Sequence, residues 1–551
     1  MIVLGVSHLK PSGVVHDVTA SLMIDGKIIS SASEDRFTGI KHHEGYPAAS
    51  IKFLLQDAGL RLSDVDRVSV GYGLDEDLMD SSRKFQFFSY PKKDSHFRPT
   101  QIESKDPVFF DHEYIHAKIG FFFSGFEKAL VVSLDGGGVD GGKLVSGGIF
   151  VIDKGETEVI EMYPAEASLG WTYGGLTEIC GFRMMDGEGK TMSLAAFAER
   201  ESQTRKDEIY NKIKKTFPMY DGYTFIGNGI DFLTYFRWQV RHNSSSVSIN
   251  EHHLIDFLAN YSPELIAWGS QKVLEESIKE IVTSAVEFTG IKNVVLSGGV
   301  FFNMIANMRI KEHLDKMNCS LFINPVCGDM GNALGSSLEL NFQETGKYQG
   351  YEWPSMSLGP SFDNEKILSA ISKYNLKSSR VDQIGTAIDM LEKGKIIGWF
   401  QGKAELGPRG LGNRSILSRG DDIKFKDLIN NKVKHREPWR PFCPTIIVEK
   451  ANEYLENYTY APYMILGFDM KDSEKMPAVA HVDNTTRPQT LKKEYNKEFY
   501  EVIEGVGGLV LNTSLNLAGD PINAFPEDAL LTLKNSEMDA LIIGDYLVER
   551  K

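Results

Sequence analysis

The stretch "TASLMIDGKIISSASED", residues 19–35, predicts a β-hairpin, and its recurrence later in the chain decides the fold class. It consists of two runs in which apolar and polar residues alternate, joined at Asp25-Gly26. Alternation with a period of two is typical of strands, and Asp-Gly between two such runs is a strong hairpin signal. A second stretch of this kind, "GGIFVIDKGETEVIEMYP" (residues 147–164), turns near Lys154.

Each predicted hairpin follows a buried strand that leads into a glycine-containing loop. The strands are "MIVLGVS" (residues 1–7) and "KALVVSLDGGG" (residues 128–138). A strand, a loop and a hairpin that occur twice indicate an internal duplication. Actin- and Hsp70-like nucleotide-binding domains (the ASKHA class) are built from such a duplicated unit, an analogy that concerns architecture alone. We therefore predict the α/β class, with a duplicated domain of this type first.

The composition changes after residue 345, where the chain becomes polar and rich in Gly, Pro and Ser. A chain of 551 residues is too long for one hydrophobic core, so several domains are expected. We predict a first domain over residues 1–345, a linker over 346–380 and a separate α/β domain over 381–551, in which strands such as "IIGWF" alternate with helices.

Composition and charge limit the function classes. The chain is 42% hydrophobic and 25% charged, which is ordinary for a globular protein. No run approaches the roughly 20 apolar residues of a membrane span, and the N-terminus lacks a signal-peptide pattern, so we expect a cytoplasmic protein without a membrane partner. The net charge of −15 disfavours a broad nucleic-acid surface. The four cysteines form no CxxC pair, which disfavours a disulfide framework or a thiolate zinc site.

Two histidines four residues apart, His112 and His116, lie on a predicted helix in "FFDHEYIHAKIGFFF". Residues i and i+4 share one helical face, so both imidazoles could bind one ion or could simply pack in the core. Asp135 ends a strand in "SLDGGG", and Asp329 precedes a helix in "NPVCGDMGNA". Two His and two Asp would suit Fe(II), Mn(II) or Zn(II) better than Mg or Ca. Taken singly, each Asp also fits a turn or a helix cap.

Several further residues are candidates for binding a nucleotide or moving a proton. In "SGGVFFN", Gly298 and Gly299 allow close approach of a nucleotide or form a tight turn, and Asn303 can bond a base or ribose. Lys190, after a glycine turn, faces either a phosphate or solvent. His16, followed by Asp17, is a candidate base with its orienting carboxylate or a structural pair.

A basic segment lies in the predicted second domain. Residues 403–440 contain ten Lys/Arg and five Asp/Glu, a net charge of +5 in an acidic chain. This predicts a local anion site or a solvated basic face, and Arg recognises phosphate bidentately whereas Lys acts as a point charge. The candidate residues here and further on are Arg409, Arg414, Lys434, Arg436, Arg440, Arg487, Asn512, Ser514 and Asn516. Such a set would suit a site where two phosphorylated substrates meet.

Taken together, the motifs resemble those of the O-carbamoyltransferases that tailor antibiotics and nodulation factors. The resemblance extends over nearly the full length of the chain. The matching segments include "HDVTASLMIDGKI", "DHEYIHA", "LDGGG", "GEGKTMSLA", "LSGGVFFN", "NPVCGDMGNALG", "GKIIGWFQGKAELGPRGLGNRSIL", "VKHREPWRPFCP" and "LNTSLN".

This resemblance implies an actin-like first domain and a YrdC-like second domain. It implies that the second domain makes carbamoyladenylate from carbamoyl phosphate and ATP (with Mg), and that the first transfers the carbamoyl group to a hydroxyl of a small-molecule acceptor with a bound iron ion. It also implies a homodimer. The implied metal ligands are His112, His116, Asp135 and Asp329. The implied carbamoyladenylate contacts are His16, Lys41, Gly298, Gly299 and Asn303. The implied phosphate-handling residues are Arg409, Lys434, Arg440, Arg487 and Ser514.

Two alternatives remain open from the sequence. One is threonylcarbamoyladenosine-type modification of tRNA, which uses both kinds of domain, although the order of the domains and the acidic surface disfavour it. The other is a nucleotide-regulated binding protein of the actin or Hsp70 type, which would need no basic segment.

Overall fold

The computed structural model describes residues 1–8, 16–72, 106–227, 258 and 260–550. They form two compact units. The first contains residues 1–29 and 44–354, and the second contains residues 30–43 and 355–551.

The first sheet of the first unit is built around β1 (Ile2–Val6). This strand pairs antiparallel with β2 (Thr19–Ile24) and parallel with β4 (Arg67–Val70). The order across the sheet is β3-β2-β1-β4-β5, where β3 is Lys27–Ser33 and β5 is Val108–Phe109. Asp25 and Gly26 both have positive φ, 49° and 76°, as a tight hairpin turn requires.

The second sheet of the first unit repeats this arrangement. Strand β6 (Lys128–Asp140) pairs antiparallel with β7 (Lys143–Asp153) and parallel with β11 (Asn293–Ser297). With β8 (Glu156–Pro164) and β12 (Ser320–Ile323), the order is β12-β11-β6-β7-β8. Each sheet thus has a hairpin on one side of its first strand and two parallel strands on the other. The predicted hairpins and the predicted duplication are confirmed.

Helices and a small hairpin complete the described part of the first unit. The hairpin consists of β9 (Met219–Asp221) and β10 (Thr224–Gly227). The helices of this unit are α2 (Ala48–Asp57), α3 (His112–Ser124), α4 (Leu169–Ile179), α5 (Glu188–Leu194), α6 (Gln203–Lys214), α7 (Pro263–Thr289), α8 (Met304–Lys316) and α9 (Asn332–Thr345). Helix α1 (Asp35–Thr38) belongs to the second unit. The long helix α7 begins with Pro263 after the N-cap Ser262 and ends at Gly290, whose φ of 69° terminates it.

The second unit is organised around an eight-stranded mixed sheet. The strands of this unit are β13 (Lys377–Arg380), β14 (Ile397–Phe400), β15 (Arg414–Ser418), β16 (Cys443–Ile447), β17 (Phe468–Asp469), β18 (Thr485–Thr486), β19 (Gln489–Leu491), β20 (Leu509–Ser514), β21 (Ala540–Ile543) and β22 (Tyr546–Glu549). The order in the sheet is β13-β22-β21-β14-β15-β20-β16-β19, and the two short strands β17 and β18 pair separately. Trp399, Leu417, Val510 and Ile542 lie at the centre of its core, where they are fully or almost fully buried.

The helices of the second unit include one from the start of the chain, α1 (Asp35–Thr38). The others are α10 (Asn364–Lys373), α11 (Gln383–Glu392), α12 (Ile423–Leu428), α13 (Val448–Tyr454), α14 (Lys497–Gly505) and α15 (Pro526–Lys534). A π-helical turn, Ile429–Lys434, continues α12.

The domain boundaries differ from the prediction in two respects. The predicted linker, residues 346–380, contains α10 and β13 in its second half, and both belong to the second unit. Residues 30–43 also belong to that unit: Ser31 donates its backbone N–H to the carbonyl of Leu358, at 2.9 Å. None of the described helices is both long and apolar enough to span a membrane.

Candidate functional site

A cluster of two imidazoles and two carboxylates lies in the first unit. His112 and His116 are one turn apart on α3 and are completely buried. Asp135 lies within β6, and Asp329 begins a short 3₁₀ turn immediately before α9. The structure therefore brings together the four residues that were predicted as metal ligands, and one ligand atom from each lies within 4.8 Å of all the others.

The distances within this cluster suit a single ion. His112 Nε2 lies 3.1 Å from His116 Nε2, 3.4 Å from Asp135 Oδ2 and 3.5 Å from Asp329 Oδ1. His116 Nε2 lies 3.4 Å from Asp329 Oδ1 and 3.9 Å from Asp135 Oδ2. Ligand atoms about 2.1 Å from a common ion are about 3.0–3.4 Å apart in octahedral or tetrahedral geometry. Four of the five separations are close to that range.

Neighbouring groups hold the ligands in place. Asp140, at the end of β6, accepts hydrogen bonds from the backbone N–H groups of Glu113 and Tyr114 and so caps the first turn of α3. The backbone N–H of Gly299 donates to Asp135 Oδ1, at 2.7 Å, which leaves Oδ2 facing the histidines. Gly138 packs so closely on the ring of His112 that a Cβ there would lie 2.1 Å from it. Glycine is therefore required at residue 138.

The charges of the four groups stabilise one another. Burial alone would lower the pKa of His112, but the carboxylates of Asp329 and Asp135 outweigh it and raise the pKa to about 10. Burial likewise opposes a charge on His116, whose pKa is nevertheless raised by its interaction with Asp329. Burial would raise the pKa of Asp135, but the two imidazoles lower it below its ordinary value. Because these shifts favour the protonated imidazoles, protons would compete with an ion for the histidine ligands.

Three buried polar atoms around the cluster have no hydrogen-bond partner among the described residues. They are Nδ1 of His116, Oε1 of Glu113 and Oδ1 of Asn332. Unpaired buried polar atoms require an explanation, and an ion with its water molecules is a common one. Together with the nitrogen and oxygen donors and their spacing, these atoms show that the residues fit a divalent transition metal.

Two residues of this region, Glu113 and Asn332, were not predicted from the sequence. Glu113 is buried beside His112 and accepts a hydrogen bond from the hydroxyl of Ser133, at 2.6 Å. Asn332 is the first residue of α9, and its Nδ2 lies 3.4 Å from His112 Nδ1. The signal that could have identified Asn332 was its spacing, because it follows Asp329 by three residues at a predicted helix start.

The predicted pairing of His16 with Asp17 is present. His16 Nδ1 and Asp17 Oδ2 are 2.8 Å apart, as an orienting carboxylate requires. Burial would lower the pKa of His16, but Asp17 outweighs it and raises the pKa to about 9. An imidazole with this pKa holds a proton at neutral pH, which favours binding an anion over acting as a base.

The other candidates of the first unit have defined structural contacts. Gly298 has a φ of 91°, and a Cβ there would lie 2.2 Å from the carbonyl oxygen of Leu134, so the turn needs glycine whatever else it does. Asn303 caps α8 by accepting the backbone N–H of Ala306, at 3.0 Å, and its Nδ2 donates to Gln271. Lys190 lies in α5, with its ammonium 5.5 Å from the centre of the Phe182 ring.

The predicted lysine of the second unit, Lys434, is buried at the end of the π-helical turn. Its ammonium donates to the backbone oxygen of Ser514 at 2.5 Å, to that of Asn516 at 3.0 Å and to Asn516 Oδ1 at 2.7 Å. Burial, together with the charges of Arg436 and Arg440, keeps its pKa well below the ordinary lysine value. Lys434 therefore connects the basic segment to the end of β20.

Several cations surround Lys434 in this unit. Arg436, Arg440 and the exposed Lys41 act on its charge, and Arg409, Arg436 and Arg487 act on the thiol of Cys443. Three acidic residues oppose them, namely Glu437, Asp483 and Asp520. Because cations predominate and several of them are buried, this region attracts an anion. The structure thus brings together the predicted residues Lys41, Arg409, Lys434, Arg436, Arg440, Arg487 and Ser514.

The prediction for Arg414 needs correction. Its side chain is completely buried and donates to the carbonyl oxygens of Gln401, Gly402, Asn413 and Pro360, at 2.7–3.1 Å. Its guanidinium also stacks 3.6 Å from the centre of the Phe400 ring. These contacts engage both terminal nitrogens in holding the loop together, which leaves neither of them free for the predicted bidentate contact with a phosphate.

Two other polar residues shape the loop that carries Arg409. Asn512 is buried and donates through Nδ2 to the carbonyl oxygen of Gly410, at 3.2 Å. Glu405, which the sequence analysis did not select, accepts the backbone N–H groups of Leu411 and Asn413 at 2.7 and 2.8 Å. The available sequence signal was an acidic residue directly before a Gly-rich basic loop.

Family models match most of the chain. A model described as "Carbamoyltransferase N-terminus" matches residues 90–338, and one described as "Carbamoyltransferase C-terminus" matches residues 388–550. The chain belongs to the carbamoyltransferase family. The prediction of an enzyme is confirmed, and a nucleotide-regulated binding protein is no longer an alternative.

Two curated relatives of this carbamoyltransferase span nearly its full length, and a third spans less than half of it. An uncharacterized protein of Methanocaldococcus jannaschii is 31% identical, over 97% of this chain and 98% of that protein. Nodulation protein NolNO of Sinorhizobium fredii is 29% identical, over 98% of this chain and 80% of that protein. The 3'-hydroxymethylcephem-O-carbamoyltransferase of Amycolatopsis lactamdurans is 28% identical, over 42% of this chain and 44% of that protein.

Proposed function

We propose that this carbamoyltransferase is an ATP-dependent O-carbamoyltransferase with a small-molecule acceptor. The observation that carries the proposal is the division of charge between the units: the first buries two imidazoles with two carboxylates, whereas the second collects cations around Lys434. The first arrangement suits a transition metal and the second suits phosphates.

The second unit would form the activated intermediate. Water cleaves carbamoyl phosphate to carbamate and phosphate, and a carbamate oxygen then attacks the α-phosphorus of ATP and displaces pyrophosphate. The product is carbamoyladenylate. Arg409, Arg440 and Arg487 would bind the phosphates, and Lys434 would hold the Ser514–Asn516 loop against them. Such cations offset the repulsion between two anionic substrates, and enclosure protects the short-lived carbamate from water.

The first unit would carry out the transfer. The acceptor hydroxyl attacks the carbamoyl carbon, the bond to the phosphate oxygen breaks and AMP leaves, and the acceptor proton passes to water. His112, His116, Asp135 and Asp329 would hold a divalent transition ion, Fe(II) by the family resemblance, which when bound supplies Lewis acidity to a carbamoyl or phosphate oxygen. His16, oriented by Asp17, would bind the leaving phosphate in its protonated form.

The finer fold assignments belong to this proposal as well. An actin- and Hsp70-like first unit is supported by the strand order that its two sheets share. A YrdC-like second unit and a homodimer are supported by the resemblance of the sequence motifs alone. The name of the cephem relative supports a hydroxyl acceptor.

Product analysis tests the proposal. Purified protein is given ATP with Mg, carbamoyl phosphate and a small-molecule extract of its host, and the products are followed by chromatography and mass spectrometry. We expect pyrophosphate and AMP, both dependent on carbamoyl phosphate, and a compound that gains one carbamoyl group. Formation of ADP without carbamoyl phosphate, or modification of tRNA alone, would contradict the proposal.

A further inference from the structure

Asn332 lies beside both histidines of the cluster, next to the ring nitrogen of His112 that does not face the carboxylates. His112 Nε2 points toward the other ligands, 3.4 Å from Asp135 Oδ2, whereas His112 Nδ1 lies 3.4 Å from Asn332 Nδ2. The same amide nitrogen is 3.5 Å from His116 Nε2. Asn332 is 1% exposed, so bulk solvent does not reach either contact.

The chemistry of the imidazole decides what must face Nδ1. A neutral imidazole that binds an ion through Nε2 keeps its proton on Nδ1, and that N–H needs an acceptor. An amide nitrogen only donates, so two donors would face each other once the ion is bound. The amide oxygen of Asn332 is buried and has no donor among the described residues. A half-turn of the amide about χ2 exchanges its two ends, which are nearly equal in size.

We infer that Asn332 is a positioning residue of the metal centre, whose amide oxygen accepts the Nδ1–H of His112 and holds that ring in the tautomer that binds through Nε2. The inference rests on the proposed metal centre.

The backbone fixes Asn332 for this role. It begins α9 directly after the turn that carries Asp329, so one local conformation places both an ion ligand and the partner of another ligand. Gly71 packs on it so tightly that a Cβ there would lie 2.4 Å from the Asn332 carbonyl oxygen. A side chain held in this way orients the ring with little loss of conformational entropy.

The test measures ion binding to metal-free protein directly. Zn(II) affinity is determined by competition with a chelator for the wild type, Asn332→Leu, Asn332→Asp and the matched control Ser336→Ala, a buried polar residue of the same helix that contacts Ser69. We expect Asn332→Leu to weaken binding about 10–100-fold, as losses of such partners do. Asn332→Asp, which keeps an acceptor, should bind at least as tightly as the wild type, and Ser336→Ala should match it.

A second readout separates orientation from charge and from folding. In Zn(II)-loaded protein labelled with ¹⁵N-histidine, the His112 Nδ1–H proton is identified by its loss in His112→Ala. It should be downfield and slow to exchange in the wild type and in Asn332→Asp, and shifted upfield or exchanged away in Asn332→Leu. If Asn332→Leu does not fold, Asn332→Ala replaces it.

The outcomes distinguish this inference from the proposed function. If the wild type binds Zn(II) no better than the His112→Ala, His116→Ala variant, the metal centre itself is wrong. If the wild type binds Zn(II) and the His112→Ala, His116→Ala variant does not, but Asn332→Leu keeps both the affinity and the proton signal, the role of Asn332 alone is overturned. If Asn332→Asp and Asn332→Leu weaken Zn(II) binding equally, the amide acts as a donor, and the proposed role of Asn332 is also overturned.

Discussion

At the scale of single residues, the histidines of α3 depend on charges that the sequence places far away. His112 and His116 come from one helix, whereas the carboxylates that raise the pKa of each come from β6 and from the turn before α9. Burying a charged imidazole costs free energy unless opposite charges lie close to it. The cluster is therefore a unit, and removing two of its members should abolish ion binding.

The first prediction concerns the ion. Protein purified without oxygen should contain about one transition ion per chain, as a four-ligand site binds a single ion. The His112→Ala, His116→Ala variant should contain almost none by elemental analysis. His313→Ala, on α8 and outside the cluster, is the matched control and should keep the ion. Full retention of metal by the double variant would end the assignment.

The second prediction concerns Lys434. A charge-assisted contact is worth roughly 1.5–3 kcal/mol, so Lys434→Ala should slow pyrophosphate formation at least about tenfold. The variant should still transfer the carbamoyl group from supplied carbamoyladenylate, whereas His116→Ala should make pyrophosphate and fail to transfer. Lys432→Ala is the control, because that side chain is 47% exposed and its ion pair among the described residues is with Glu537. If Lys434→Ala lost carbamoyl transfer and His116→Ala lost pyrophosphate formation, the roles proposed for the two units would be reversed.

The third prediction concerns pH and the same lysine. Burial and the nearby arginines lower the pKa of Lys434 in the folded protein, so between that pKa and the ordinary value the unfolded chain binds more protons. Stability therefore rises with pH over this interval. Unfolding free energies are measured with urea from pH 7 upward. The value for the wild type minus the value for Lys434→Met should rise with pH and level off above about 10.5. If the wild-type value falls relative to the Lys434→Met value as the pH rises, the lowered pKa is contradicted.

At the scale of elements, α3 and α9 carry or adjoin three of the four proposed ligands, and a buried ion pair joins the two helices. Lys118 of α3 and Glu339 of α9 are 0% and 1% exposed, with Nζ and Oε2 2.7 Å apart. The hydroxyl of Tyr114 donates to the other oxygen of Glu339, at 2.8 Å. These contacts fix the distance between the helices on which the cluster depends.

The fourth prediction follows from this pair. Lys118→Met or Glu339→Gln alone should lower the unfolding free energy by about 3–5 kcal/mol, because each leaves a buried charge without its partner. The double replacement Lys118→Met, Glu339→Leu should cost less than either single one. Lys128→Ala is the control: the Lys128–Asp153 pair is about half exposed, and such pairs contribute about 0–1 kcal/mol. Additive losses in the double variant would show that the pair is not coupled.

Elements with a local signal could be predicted from the sequence. The Asp25-Gly26 turn, the repeated strand with its glycine loop and the His112/His116 spacing all depend on neighbouring residues. Arg414 could not be assigned in this way, because its sequence surroundings resemble those of a phosphate-binding arginine and only tertiary contacts bury it against four carbonyl oxygens. The contact of Asn332 with His112 could not be predicted either, because 220 residues separate the two along the chain.

At the scale of the whole molecule, the chain does not divide at one point. Residues 30–43 cluster with the second unit, where Arg36 donates to the carbonyl oxygen of Gly407 at 2.7 Å. Phe37 packs edge-to-face on Phe525, with ring centres 5.4 Å apart. No local feature of the sequence predicts that residues 30–43 belong to the second unit, because the pattern of residues 30–35 indicates only the end of a hairpin.

The fifth prediction uses fragments of the chain. Residues 355–551 alone should unfold at a lower urea concentration than the same fragment with residues 30–43 joined to its N-terminus by a Gly/Ser linker. The joined fragment with Arg36→Ala and Phe37→Ala is the control and should resemble the fragment alone. Equal midpoints for all three would show that residues 30–43 contribute nothing to this unit.

The placement of residues 30–43 also affects how the protein is made. Arg36 and Gly407 are 371 residues apart. At a synthesis rate of about 5–20 residues per second, the early segment waits roughly 20–70 seconds on the ribosome before its partners emerge. Neighbouring ribosomes on one messenger bring nascent segments close to completed chains, so the segment of one molecule can dock on another. Slow translation and crowded polysomes should therefore favour interlocked dimers by segment exchange.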